Sequence, residues 1–438
     1  MSLAVSRNEA GTTAALTGVS LATHTRHQIA VRLLPFLFFL YIANYLDRTN
    51  LAYAALGMIR DLHFSDRVFG LGAGIFFVGY VALQIPGSLL IERWSARRCI
   101  ALIMVTWGAL TVLTALVHSA GQLYLARFVL GAAEAGFFPG VIVYLSHWFI
   151  QEDRAKATSN FMAAIPLSYI IGSPLAGWIL GHHWLGIQGW RMLFVLEGLP
   201  AIVLGSAAFF YLTDWPREAG WLSREQLGWI EGKLEEEKPE GTKAISVVQA
   251  LRSRTILLLC AVVFLDYFVY YTFAFWLPTV LKRQSGFSDL WVGIVGGLPY
   301  IAALIGMLVN GWHSDKTGER RWHTAVPMLA GGIVLAGVLG WPKSLAAAVV
   351  ALIVLGSSQG FLPTFWAIPT EVLSDSAAAV GVGMINAVGS IAGFLGPYAF
   401  GYLRTQTGSY SLGLASMMAA AFMGGLLILC IPKARARS

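Results

Sequence analysis

The segment GWHSDKTGERR, residues 311–321, repeats the charge pattern of an earlier segment, SLLIERWSARR, residues 88–98. Aligned at an offset of 223 residues, acid lies on acid and base on base at three positions: Glu92 with Asp315, Arg93 with Lys316, and Arg98 with Arg321. The same offset carries Pro174 onto Pro397, each within a glycine-rich apolar stretch. Two unrelated landmarks that share one offset indicate an internal repeat, so we expect two similar halves.

The composition predicts that both halves lie in a membrane. Of the 438 residues, 57% are hydrophobic and 12% are charged, and the mean hydropathy is +0.66. A helix of roughly 20 apolar residues crosses the hydrocarbon core of a bilayer, and about twelve such runs occur. We therefore expect an all-α polytopic membrane protein with 12 spans in two pseudo-symmetric six-helix bundles. The spans are predicted near 33–54, 70–91, 98–117, 122–144, 157–181, 193–212, 256–280, 291–311, 324–341, 345–366, 379–402 and 411–431.

Polar segments set the expected domain boundaries. Residues 1–30 lack the apolar core of a cleavable signal, so we expect a cytoplasmic tail. With both termini in the cytoplasm, 21 of the 30 Lys and Arg residues fall in cytoplasmic segments and 7 in external ones, as the positive-inside rule requires. We expect an integral protein of a bacterial inner membrane. The predicted parts are an N-terminal tail at 1–30, a first bundle at 31–213, a cytoplasmic linker at 214–254, a second bundle at 255–432 and a basic tail at 433–438.

Several classes of function are not expected. Cys99, Cys260 and Cys430 have no CxxC partner, so we predict neither a disulfide nor a metal site. The chain has no phosphate-binding loop, HExxH or GxSxG motif, so we predict no enzymatic activity and no cofactor. The basic isoelectric point follows from the loop bias, and no nucleic-acid partner is expected. The expected partners are the lipid bilayer and small solutes, and we expect a monomer.

The segment NYLDRTNLAY, residues 44–53, places Asp47 and Arg48 in the first span. Each charge costs about 2.5 to 3.5 kcal/mol at the centre of a bilayer on insertion scales. The fourth span supplies Arg127 and Glu134, which lie seven residues apart and so share one helix face. These two acids and two bases form either a structural ion-pair network or a path for substrate and protons, and both readings can hold together.

The loop pattern G-x-x-x-(D/E)-(R/K)-x-G-x-(R/K)-(R/K) resembles the signature of the major facilitator superfamily. Residues 311–321 match it in full, whereas Ser88 and Ser95 replace glycine in the first copy. NYLDRTNL, FFVGYVALQIPG at 76–87, RFVLGAAEAGFFPG at 127–140 and GWRMLFVLEGLPA at 189–201 resemble the anion:cation symporter family within it. That resemblance implies transport of organic anions, usually with protons, with Asp47 and Glu134 as proton carriers and Arg48 as a substrate contact.

Charge balance leads to the same mechanism. While Asp47 and Glu134 are ionised, both arginines are neutralised and an organic anion gains little by entering. If the carboxylates accept protons, Arg48 and Arg127 become uncompensated and attract a carboxylate, which arginine can grip with two hydrogen bonds. Proton and anion binding then favour each other, which is the thermodynamic basis of symport.

Uncharged polar and aromatic side chains are the candidates for substrate specificity. Tyr80 and Gln84 lie one helical turn apart on the second span. The alternative for the aromatic residues is ordinary packing or an interfacial belt. The full set of candidates is Tyr45, Tyr80, Gln84, Tyr271, Thr364, Trp366 and Asn386.

The charges of the repeated loops are expected to form a cytoplasmic gate. They would bridge the bundles in the outward-facing state and separate in the inward-facing one. The alternative is that they only set the topology. The gate candidates are Glu92, Arg93, Arg98, Asp315, Lys316 and Arg321.

Two further acids fall within predicted spans. Asp266 lies one turn before Tyr270, so a hydrogen bond between them and a second proton site are both open. Glu197 is expected to be structural, paired with Arg191.

The sequence as a whole predicts proton-coupled symport of a tartrate-like hydroxy dicarboxylate or a sugar acid. An aromatic acid as substrate and an organic-anion exchanger remain alternatives. A channel or a ligand sensor is less favoured, because repeated halves with an asymmetric cluster of charges are typical of alternating access.

Overall fold

The computed structural model of the chain describes the backbone of residues 2–182, 184, 186–237, 247–340, 345–373 and 375–432. Side chains are described from residue 21 onward within these ranges, except at 85, 88, 89, 92, 93, 247, 248, 340, 345, 346, 370 and 375–379. The side chains of Glu92 and Arg93 and the predicted tail at 433–438 therefore lie outside the described residues.

The described chain is almost wholly helical. In the first half the helices are α1 Ser2–Asp61, α2 Asp66–Arg93, α3 Ala96–Thr114, α4 Ala120–Glu134, α5 Phe137–Trp148, α6 Gln151–Met162, α7 Ala164–Gly181 and α8 Gly189–Tyr211. Two short helices connect the halves, α9 Arg224–Glu236 and α10 Val247–Arg252. The second half contains α11 Arg254–Ser285, α12 Asp289–Thr317, α13 Arg321–Gly340, α14 Leu345–Ser358, α15 Leu362–Val372, α16 Asp375–Thr407 and α17 Ser411–Leu427.

The expected all-α fold is confirmed, because these residues contain 12 segments long and apolar enough to cross a membrane. Three of the spans are each built from two helices, which the sequence did not predict. Span four is α4 followed by α5, span five is α6 followed by α7, and span ten is α14 followed by α15. The break in span four lies at Ala135 and Gly136, directly after Glu134.

Glycines allow the spans of the first bundle to pack backbone against backbone. A Cβ atom at Gly131 of α4 would clash with the carbonyl group of Phe76 on α2, and one at Gly79 of α2 would clash with Phe128 of α4. This contact holds α2 against the helix that carries Arg127 and Glu134, as small residues do in membrane bundles.

The two bundles meet through the pairs α2 with α16 and α7 with α12. A Cβ at Gly70 would lie 2.5 Å from the carbonyl oxygen of Pro397, and one at Gly177 would lie 2.5 Å from that of Asp289. These contacts lie toward the end of the molecule that carries the connections 62–65, 286–288 and 408–410, here called the loop end. Because the described spans are even in number, the first span begins and the last span ends at the opposite end of the molecule, here called the terminal end.

Candidate functional site

A small cavity lies between the two bundles near the middle of the spans. Both halves contribute to its walls, so a solute there contacts both bundles. The walls are formed by Arg48, Thr49, Phe76, Phe77, Arg127 and Tyr169 from the first half and by Tyr271, Ala274 and Phe275 from the second.

Arg48 of α1 is paired with Glu134 at the end of α4. Its Nε and Nη2 atoms both lie 2.5 Å from Glu134 Oε1, and the Glu134 side chain is fully buried. Glu134 Oε2 has no hydrogen-bond partner among the described groups. The guanidinium group of Arg48 also lies 5.1 Å from the ring centre of Tyr45 and 5.3 Å from that of Tyr80, within range of cation–π attraction.

Arg127 of α4 lies in the same cavity without an ionic partner. The residue is 1% exposed, and none of its three guanidinium nitrogens has a hydrogen-bond partner among the described groups. The face of the Phe76 ring lies 4.8 Å from its Cζ atom to the ring centre, and the charges of Asp47 and Glu134 act on it from farther away. A buried charge without a partner is costly, so this cation favours an anion in the cavity.

Asp47 forms no direct ion pair with either arginine, although its charge acts on Arg127 from farther away. Its Oδ1 atom accepts a hydrogen bond from Asn50 Nδ2 at 2.7 Å, and its Oδ2 atom has no partner among the described groups. The structure therefore pairs one of the two arginines and leaves the other unpaired.

The specificity candidates divide into those near Arg48 and the cavity, described first, and those elsewhere in the second half. Tyr45 and Tyr80 surround Arg48, and Tyr271 lines the cavity with its ring centre 4.5 Å from that of Phe77. Gln84 is half-buried one turn beyond Tyr80 on α2.

Three candidates of the second half do not line this cavity. Thr364 is buried within its own bundle, where its hydroxyl donates to the carbonyl oxygen of Phe361 at 2.6 Å and lies 3.2 Å from the Thr324 hydroxyl. Trp366 packs against a separate apolar cluster of the second bundle. Asn386 is half-buried on α16. Their role in binding stays a prediction.

Sequence reasoning missed Tyr169 of α7, which lines the cavity and also joins the bundles. Its ring is stacked on that of Tyr300 from α12, with ring centres 4.0 Å apart and planes 10° from parallel. A signal for Tyr169 was present in the sequence, because Ser168 and Tyr169 form a polar pair inside an otherwise apolar span.

The charges of the second repeated loop pair within their own bundle. Arg320 contacts Asp315 at 2.5 Å and Glu371 at 2.9 Å, and Arg321 donates to the carbonyl oxygen of Leu429. Lys316 lies 5.3 Å from the ring centre of Trp312. Burial alone would raise the pKa of Glu319, but hydrogen bonds from the backbone of Trp322 and from His323 bring it below its usual range.

The first repeated loop explains one departure from the glycine pattern. Ser95 is the N-cap of α3: its hydroxyl accepts a hydrogen bond from the backbone N–H of Arg98 in the first turn and donates to Asp214 Oδ2 at 2.6 Å. The serine thus ties the start of span three to the end of span six, a role that glycine cannot fill.

The expected pairing of Glu197 with Arg191 was wrong. Arg191 bonds to Gln188 and to the carbonyl oxygens of Ala115 and Val117, whereas both oxygens of the buried Glu197 have no partner among the described groups. The pairing failed because the two side chains, six residues apart, lie on different faces of α8.

Comparison with known proteins identifies the family. The model of the Major Facilitator Superfamily matches residues 37–397, which is most of the chain. The chain belongs to the Major Facilitator Superfamily. A protein of Agrobacterium vitis named "Putative tartrate transporter" is 40% identical over 93% of this chain and 93% of its own length. The Escherichia coli inner membrane transport protein RhmT is 37% identical to this superfamily member over 91% of this chain and 93% of its own.

A solved structure shows the same fold. The crystal structure of a bacterial homologue of the human lysosomal transporter Spinster, in an inward-facing and occupied conformation, matches with a TM-score of 0.76 at 19% identity. The match covers 93% of this chain and 98% of the other. At this identity the likeness supports the architecture of two six-helix bundles and nothing finer.

Proposed function

We propose that this protein is a secondary transporter that carries a small organic anion together with protons across the bacterial inner membrane by alternating access. The observation that carries the proposal is the unpaired, buried Arg127 in a cavity that also contains the paired Arg48. An anion is the ligand that such a cavity favours. A transporter that alternates between two open states would let the anion enter the cavity from either side of the membrane.

Protonation of Glu134 is the proposed coupling step. While Glu134 is ionised it holds Arg48, and only Arg127 attracts an anion. Once Glu134 takes up a proton, Arg48 is released, and two guanidinium groups face one cavity. Each can bind a carboxylate through two hydrogen bonds, so an anion with two carboxylates fits the protonated site best. Asp47, with one free carboxylate oxygen next to Arg48 in sequence, is proposed to carry a further proton.

The proposed substrate is a tartrate-like hydroxy dicarboxylate or a sugar acid. The name of the Agrobacterium vitis relative supports this choice, as does the pair of arginines. One observation favours a second candidate, an aromatic acid. Five rings line the cavity and offer faces on which a planar ring can stack: Phe76, Phe77, Tyr169, Tyr271 and Phe275.

The contacts between the bundles support alternating access. At the loop end, Asp66 of α2 bonds to both Nη atoms of Arg283 on α11 at 2.7 Å. At the terminal end, the described ion pairs of the repeated loops stay within one bundle. If both termini are cytoplasmic, as the positive-inside rule predicts, the structure is closed to the outside.

Uptake into liposomes that contain the purified protein tests the proposal. An inward proton gradient should drive accumulation of labelled tartrate or another organic acid above its equilibrium level, and unlabelled acid should compete with it. An exchanger would require acid on both sides, a channel would not saturate, and a sensor would bind without transport. Absence of uptake for the organic acids that raise the melting temperature of the protein would contradict a transport role.

A further inference from the structure

The second bundle contains a buried acid that the proposed transport cycle does not use. Asp266 of α11 is 4% exposed and lines a small cavity inside this bundle. Other walls of the cavity come from α13, from α17 and from the end of α14 with the turn that follows it. Among the described residues that line the cavity, Asp266 is the only one with a charge.

The polar atoms at this cavity are mainly acceptors. Gln359 Oε1 is buried without a hydrogen-bond partner among the described groups. The Ser358 hydroxyl donates to the carbonyl oxygen of Leu355 at 2.6 Å, so its oxygen is left as an acceptor toward other groups. The structure shows no donor to the Asp266 carboxylate from any described group, so the hydrogen bond from Tyr270, one of the two alternatives left open by the sequence, is not formed. The Gln359 amide also carries a donor, Nε2, but no described hydrogen bond joins it to Asp266, so the acid and the unpartnered Oε1 are open to a bound cation or a proton.

The internal repeat gives this site a counterpart. The offset of 223 places Asp47 of the first half opposite Tyr270, which lies one helical turn from Asp266. Each half therefore carries a buried acid near corresponding positions of its first span. The anion cavity between the bundles is lined by two arginines, whereas the described lining of the cavity at Asp266 has no basic side chain.

We propose that Asp266, Ser358 and Gln359 form a monovalent-cation site in the second bundle. A proton on Asp266 would turn the carboxylate into a donor for Gln359 Oε1. A sodium ion would instead be coordinated by the carboxylate, hydroxyl and amide oxygens, which are hard ligands suited to such an ion. Both ions neutralise the buried charge. The site goes beyond the proposed function, because it lies within one bundle and shares no residue with the anion cavity.

The test uses the purified full-length protein without any organic anion, so it does not depend on the proposed substrate. Thermal unfolding is measured in sodium chloride and in choline chloride at equal ionic strength, and infrared difference spectra between acidic and alkaline pH report protonated carboxyl groups. The variants are Asp266→Asn and Gln359→Leu, with Asp289→Asn as the matched control of an acid paired with Lys282.

A sodium site predicts that sodium raises the melting temperature of the wild type and of Asp289→Asn but not of Asp266→Asn. A proton site predicts no sodium effect and the loss of one carboxyl band in Asp266→Asn. Either result supports the site and identifies the ion that it binds. If Asp266→Asn does not fold, Gln359→Leu must weaken the sodium effect or shift the carboxyl band.

The proposal is overturned if the wild type shows neither response, or if Asp266→Asn behaves as the wild type does. If Asp266→Asn does not fold, wild-type behaviour of Gln359→Leu overturns it. Failure of anion transport in the liposome assay would leave these readouts unchanged, so the two proposals fail separately.

Discussion

Arg48 and Arg127 line one cavity but differ in what compensates their charge. Arg48 is held by Glu134 through two contacts of 2.5 Å, whereas Arg127 has no polar partner among the described groups. Under the proposed coupling, a proton on Glu134 would release the first arginine, whereas the second would attract an anion in either protonation state. This asymmetry sets different expectations for the two residues.

Replacing Arg127 by methionine should abolish anion binding without loss of stability. The substitution removes a buried cation that has no partner, and such a change is neutral or stabilising. Loss of charged hydrogen bonds worth about 1.5–3 kcal/mol each should weaken anion affinity at least tenfold. Calorimetric titration and thermal unfolding of the same sample measure both effects. A variant that binds normally, or one that is strongly destabilised, would contradict the role of Arg127.

Arg48→Met is the matched contrast, because it leaves Glu134 buried without its partner. Breaking a buried pair costs about 3–5 kcal/mol while the remaining group is charged. Thermal unfolding of Arg48→Met and Arg127→Met under the same conditions measures the difference. Equal stability of the two variants would argue against an ionised Glu134 in this pair.

Glu134→Gln should separate exchange from accumulation. The amide cannot be ionised, so Arg48 stays available and the loaded carrier can cross in both directions. Liposomes should retain exchange of labelled for unlabelled acid but lose accumulation driven by a proton gradient. Glu225→Gln, on the exposed linker helix α9, is the control that should keep both activities. Gradient-driven accumulation by Glu134→Gln would show that the coupling proton is carried elsewhere.

The identities of the charged residues could be predicted at this scale, but their pairing could not. Asp47, Arg48, Arg127 and Glu134 are conspicuous because charges are rare in apolar spans. Which acid meets which base depends on the rotation and approach of separate helices, and Glu134 alone reaches Arg48 among the described acids. For the same reason Thr364 could not be assigned from its span, since it faces Thr324 within its own bundle.

At the scale of the helices, the contact between α2 and α4 positions the site. Phe76 on α2 lies beneath both guanidinium groups, and the carbonyl group of the same residue lies against Gly131 of α4. The close approach of the two backbones therefore fixes the distance between the ring and Arg127.

Gly131→Ala should reduce both folding yield and anion binding. Its Cβ would clash with the Phe76 backbone, which cannot move as a flexible side chain can, so the helices must separate. Gly121→Ala on the same helix is the control, because a Cβ at that position would have no neighbouring heavy atom within 4 Å. That substitution should be neutral or stabilise by up to about 1 kcal/mol, as glycine-to-alanine changes in helices do. Thermal unfolding and anion titration compare the two. Equal melting temperatures and equal anion affinities of the two variants would show that the close contact between α2 and α4 is not important for packing or binding.

The number and order of the spans could be predicted from hydropathy, because the bilayer demands long apolar helices. The breaks within spans four, five and ten could not. They depend on local backbone geometry at small residues and prolines, such as the turn at Ala135 and Gly136, and hydropathy does not report it. The repeat offset predicted the two bundles, since equal spacing of distant landmarks reflects equal architecture.

At the scale of the whole molecule, ion pairs close the loop end between the bundles. Asp66 contacts Arg283 on α11 and lies 3.9 Å from Arg404 on α16. Arg283 also donates to the Tyr410 hydroxyl at 3.0 Å. One acid of the first bundle is thus held by two bases of the second, and these contacts must break for the cavity to open at this end.

Asp66→Asn should shift the conformational equilibrium toward opening at the loop end. A partly exposed pair contributes about 1 kcal/mol, which corresponds to roughly a fivefold change in population. Spin labels on α2 and α11 at the loop end should show a larger fraction of long distances. Asp289→Asn is the control, because its pair with Lys282 lies within one bundle. Unchanged distance distributions in Asp66→Asn would mean that the pair is not a latch.

The most direct test of the central claim is the number of protons taken up when the purified protein binds its anion, measured by titration calorimetry in buffers of different ionisation enthalpy. The coupling between Glu134 and Arg48 predicts uptake of about one proton by the wild type near neutral pH, with affinity falling as the pH rises. Glu134→Gln should bind the anion with no uptake at this site and with a weaker dependence on pH. Anion binding by the wild type without proton uptake, or uptake that is unchanged in Glu134→Gln, would contradict the account.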